Sequence, residues 1–92
     1  MKQTIDEVLS ERGARYGKFS EHAVISQDLR TTVNMYVVKR GCDLEADQRE
    51  ALDMICHKIA RIINGDPGYA DNWVDIAGYA QLVADRLQGV VR

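Results

Sequence analysis

Proline occurs once in this 92-residue chain, cysteine twice, and aromatic side chains make up only 7%. Cys42 and Cys56 stand alone, with no CxxC pair and no histidine at ligand spacing, which excludes the usual zinc frameworks. Cys56 falls on an apolar helical face, where a free thiol behaves as a small hydrophobe. Both thiols are expected to be reduced and the protein cytoplasmic. Long apolar runs are missing too: no stretch approaches the roughly 18 residues of a membrane span, and the opening MKQTIDEVLSE has no apolar signal core. A membrane partner is therefore not expected. Nor does positive charge collect anywhere. Twelve Lys and Arg are scattered among fourteen Asp and Glu, for a net charge of −2, so a nucleic-acid partner is not expected either.

What is present is helical periodicity. Thr4-Ile5-Asp6-Glu7 has the form of a capping box and predicts a short helix over 4–11, with Ile5, Val8 and Leu9 as its apolar face. Residues 12–19, with two glycines four apart, read as a packed loop. Ser20 is a good N-cap for a second helix, striped by Ile25, Leu29, Val33 and Tyr36 and ended by Gly41. A third runs from near Asp43 to Asn64 and carries the cleanest stripe, Leu52, Ile55, Cys56, Ile59, Ile62 and Ile63. Gly65 and Pro67 stop it. The fourth begins near Asp71, with Trp73, Ile76, Ala77, Ala80, Val83, Ala84 and Leu87 as its main face. No run alternates with period two. The expected fold is all-α: one domain over 1–92, a short N-terminal helix plus three longer helices in a bundle. So small a domain has a thin core, and Val24, Val38, Val74 and Leu82 fall off the main faces. A homo-oligomer, with a dimer favoured, would bury them and complete the bundle.

Two constellations carry chemistry. Lys58 and Arg61 share a face of the third helix, and Asp71 and Asp75, continued by Tyr79, share a face of the fourth. The turn Gly65-Asp66-Pro67-Gly68 lays the two faces antiparallel. Two cations opposite two carboxylates form either a phosphate-and-metal site, with Asp71 and Asp75 on Mg²⁺ and Lys58 and Arg61 on phosphates, or salt bridges that pin the hairpin. The second constellation is Arg12, Arg15 and Lys18 around Tyr16. It either closes over an anion with Tyr16 on a base or plugs the bundle end with Tyr16 and Phe19. His22 on an apolar stripe and His57 on the polar side of the third helix have no Ser, Cys or Asp arranged as a triad, which argues against a hydrolase of that kind.

The segments RGARYGKFSEHA, then Met54-Ile55 with Lys58-Ile59-Ala60-Arg61-Ile62, then Asp71-Asn72-Trp73-Val74-Asp75-Ile76-Ala77-Gly78-Tyr79 resemble, over nearly the whole chain, a family of small phage and prophage proteins of unassigned function. These are distantly similar to phage nucleotide-modification-associated domains and to the MazG-like all-α nucleotide pyrophosphohydrolases. The resemblance implies a helical bundle, oligomerisation and Mg²⁺-dependent cleavage of nucleoside triphosphates, in the host cytoplasm if the chain is phage-encoded. That family uses ExxE on one helix and ExxD on the next. Here Lys58-Ile59-Ala60-Arg61 stands at the first motif and Asp71 with Asp75 at the second, so the catalytic motif is degenerate. The expected function is a nucleotide- or phosphate-binding helical protein, with Lys58, Arg61, Arg15, Tyr16 and Tyr79 on the ligand. The alternative is a non-enzymatic phage accessory protein that binds a host or phage protein.

Overall fold

Thr4 opens the first helix, α1 (Ile5–Tyr16), through the capping box: its Oγ1 accepts from the Glu7 N–H at 3.1 Å, and the Glu7 carboxylate accepts from the Thr4 N–H at 3.3 Å. The computed structural model describes residues 3–92, so positions 1 and 2 of the expected domain lie outside it. α1 is longer than its local sequence predicts, running through Gly13 to Tyr16. The reason is tertiary. The Asn64 side-chain amide donates to the Tyr16 carbonyl at 2.7 Å and to the Lys18 carbonyl at 3.1 Å, and the Asp66 N–H donates to the Arg15 carbonyl at 2.7 Å. These bonds satisfy carbonyls that a helix end otherwise leaves orphaned, against a cost of about 1 kcal/mol for a mid-helix glycine. The break is only two residues, Gly17 and Lys18, before α2 (Phe19–Lys39) begins.

Gly41 ends α2 as expected, in the left-handed region at φ 59°, with Cys42 N–H to Val37 carbonyl and Gly41 N–H to Val38 carbonyl completing a Schellman motif. α3 (Ala46–Asn64) starts three residues later than Asp43 suggested, where the Glu45 N–H donates to the Gln48 side chain at 2.9 Å. The turn to α4 (Ala70–Leu87) is built on Asp66, whose carboxylate accepts from the Gly68 N–H at 2.8 Å. Trp73 Nε1 donates to the Pro67 carbonyl at 2.9 Å across the same turn.

The architecture is all-α, with four helices and no strand among the described residues. α3 lies in the middle, packed by α2 on one side and α4 on the other, and these two flanking helices do not approach each other. α1 crosses the end of α2 and α3 beside the turn. Among the described residues the buried apolar set is small, Ala51, Cys56, Ala60 and Ile62, all on α3. None of the helices is long and apolar enough to cross a membrane.

Candidate functional site

The α3–α4 hairpin brings two of the four candidate charged residues, Lys58 and Asp75, into direct contact. Lys58 is directed at α4, where its Nζ lies 2.8 Å from Asp75 Oδ2; the Lys58 side chain is 10% exposed and that of Asp75 46%. Asp71 stands one position inside the start of α4, not at its cap, and accepts from the Tyr69 hydroxyl at 2.8 Å. That bond is the main reason the Tyr69 phenol is pushed up from its ordinary value. Tyr79 faces a different, shallow groove with Val74, Asp75 and Leu82. Among the described residues no group of three or more His, Cys, Asp and Glu is placed to hold a metal ion.

Arg61, one turn beyond Lys58, is directed at α1. Its guanidinium sits 4.2 Å above the Tyr16 ring, and Tyr16 packs edge-on against Tyr69. Arg15 stacks 4.7 Å from the Tyr69 ring, donates to its hydroxyl at 3.0 Å and pairs with Glu11 at 2.9 Å. Arg15 and Tyr16 are thus joined through Tyr69, an anchor that sequence reading left aside. Beside this stack opens a cleft of about 430 Å³ between the C-terminal end of α1, the start of α2 and α3. Arg12, Lys18 and Arg61 line it with the rings of Tyr16 and Phe19, and no carboxylate does. The Gly13 and Gly17 backbones form part of its wall.

Leu9, His22 and His57 complete the lining. The two histidine rings meet edge to face with centroids 4.6 Å apart, and His22 Nε2 lies 3.3 Å from His57 Nδ1, so one ring donates to the other. His22 is buried, and its Nδ1 finds no hydrogen-bond partner among the described residues. Burial first, then the nearby Arg61, lowers the pKa of both; His57 is brought down to about 4. At neutral pH the pair is uncharged amid cations. Nothing in the linear pattern announces this pairing, since His22 and His57 lie 35 residues apart on different helices.

Three cations, two aromatic rings and a histidine pair thus face one cleft of an all-α domain. The chain belongs to the DUF6378 family, a domain of unknown function whose pattern matches residues 1–87. No curated protein and no solved structure matches it.

Proposed function

We propose that this domain binds a phosphate-bearing ligand of the nucleotide class in the α1–α3 cleft. The observation that carries the reading is the lining: three cations, two aromatic rings and no carboxylate. Arg12, Lys18 and Arg61 would meet phosphate oxygens, with the forked guanidinium suited to two-point contact. Tyr16 or Phe19 would offer a face to the base. Of the residues expected from sequence, Arg61 and Tyr16 line this cleft, and Arg15 holds Tyr16 in place through Tyr69. Phage or prophage provenance and a MazG-like ancestry with a degenerate motif belong to the same reading. So does action as a homo-oligomer.

Mg²⁺ fits less directly. For Asp71 and Asp75 to ligate it, each would offer the oxygen left over from its present contact, since Lys58 holds Asp75 by Oδ2 and the Tyr69 hydroxyl holds Asp71 by Oδ2. A thermal-shift panel of nucleoside mono-, di- and triphosphates with and without Mg²⁺ tests both forms. A ligand at a hundred times its Kd adds about 2.7 kcal/mol of stability. A hit without Mg²⁺ supports the cleft alone, and a strictly Mg²⁺-dependent hit brings in Asp71 and Asp75. A blank panel overturns the reading. The accessory-protein alternative is favoured by a separate observation: Val24 and Val38 on α2 and Val74 and Leu82 on α4 are all exposed.

A further inference from the structure

The apolar stripes that should make the core of this fold are in large part uncovered. Trp73, Ala80 and Leu87 are spaced seven apart on α4 and so share one line; Trp73 is 55% exposed and Leu87 58%. On α3, Leu52 and Ile55 edge the same face and Ile63, 66% exposed, extends it. A groove of about 320 Å³ runs between the two helices, with Leu52, Ile55, Ala80 and Val83 in its lining and Gln48 as its one polar residue. Among the described residues no charged side chain lines it.

The size of the uncovered surface is what a stable dimer would bury. The chain exposes 6763 Å², whereas a compact protein of 10.4 kDa exposes about 5,400 Å². Its Cα radius of gyration is 15.4 Å, against about 12 Å for a compact domain of this length. The excess is thus roughly 1,400 Å² per chain. Two copies that each buried this excess would share an interface in the 2,000–5,000 Å² range, roughly that of obligate homodimers. Small residues at Ala77, Ala80 and Ala84 let a second helix approach closely, and a two-fold interface presents the same patch from each copy.

We infer that the α3–α4 face, centred on Leu52 and Ala80, is the seat of a second copy of this chain. Each copy covers the other's Trp73 and groove, and the dimer supplies the closed core that α2, α3 and α4 do not build alone. The dimer needs no ligand in the α1–α3 cleft, so it stands or falls separately from the nucleotide reading.

Sedimentation velocity of the full chain without ligand, from micromolar to sub-millimolar concentration, tests it. The expected species has twice the 10.4 kDa chain mass. Ala80→Glu and Leu52→Glu should weaken the dimer roughly a hundredfold by bringing like charges together across the two-fold, while Val38→Glu, on the outer side of α2, leaves it intact. A second readout needs no variant: quenching of Trp73, the only tryptophan, should rise as the dimer is diluted. A wild-type monomer throughout, a mass other than two chains, dissociation by Val38→Glu but not Ala80→Glu, or Trp73 quenching unchanged by dilution would each overturn the assignment.

Discussion

Lys58 and Arg61 lie one turn apart on α3 yet serve different neighbours: Lys58 Nζ is 2.8 Å from Asp75 on α4, and the Arg61 guanidinium is 4.2 Å above Tyr16 on α1. Their roles separate accordingly. Removing Asp75 strands a largely buried ammonium, a loss that lies between the ~0–1 kcal/mol of exposed pairs and the ~3–5 kcal/mol of broken buried ones. Because Asp75 is itself half exposed, Asp75→Ala is expected to lower stability by about 2 kcal/mol. Lys58→Met keeps the aliphatic stem and removes the charge, so its loss should be smaller. Urea midpoints at constant slope check the order. Equal losses in the two variants would mean that the ammonium is not what Asp75 stabilises.

Ligand affinity should follow Arg61 and not Lys58. Charge-assisted hydrogen bonds contribute roughly 1.5–3 kcal/mol, so Arg61→Ala or Arg12→Gln should weaken nucleotide binding about 10- to 100-fold. Lys58→Met, facing α4, should change it little. Isothermal titration with whichever nucleotide gives the largest thermal shift measures this. A Lys58→Met loss as large as that of Arg61→Ala would move the site back to the hairpin.

The helices were legible in the sequence because each was signalled locally: the Thr4–Glu7 box, the Gly41 stop, the α3 stripe and the Gly65–Gly68 turn. The length of α1 was not, because Asn64, 48 residues from Tyr16, supplies the bonds that carry the helix past Gly13. The hairpin site was half legible for a related reason. A spacing of three shows that Lys58 and Arg61 are neighbours on α3, but the two directions differ by about 60° of helix rotation. That difference is enough for one to meet α4 and the other α1. The main face of α4 was read as an apolar line, but Trp73, Ala77, Ala80 and Leu87 on it are exposed and the residues α4 buries are Asn72 and Asp85, an outcome that depends on how few helices there are to cover it.

Acid should destabilise the protein before its carboxylates titrate. His57 has its folded pKa lowered to about 4 from 6.5 and His22 is lowered as well, so the unfolded chain binds more protons than the folded one. The stability from these two groups is complete above about pH 6.5, lost as pH falls, and for His57 exhausted near 4. Asp47, held down by Arg86, and Asp85, held down by Gln81 and Arg92, lose theirs at lower pH. Thermal unfolding at a series of pH values should therefore show a fall across this window, made shallower by His57→Gln. An anion in the cleft reverses the balance by favouring imidazolium, so affinity should rise as the pH is lowered from neutral toward 5.

Three glycine-to-alanine substitutions should separate chain geometry from helix propensity. Gly17 sits at φ 76°, and a Cβ there would overlap the Asn64 carbonyl; backbone strain and collision together should cost about 2 kcal/mol or more. Gly65 has negative φ, but a Cβ on it would run into the Arg15 carbonyl and the Tyr16 backbone. Gly65→Ala should therefore push α1 off the turn and loosen the cleft as well as the fold. Gly78 lies inside α4 with open space where a Cβ would go, so Gly78→Ala should stabilise by about 0.5–1 kcal/mol. Denaturation midpoints rank the three, and hydrogen exchange of α1 amides in Gly65→Ala distinguishes detachment of α1 from a general loss. If Gly65→Ala left those amides as protected as in the wild type, the close approach of α1 to the turn would not be what holds the cleft together.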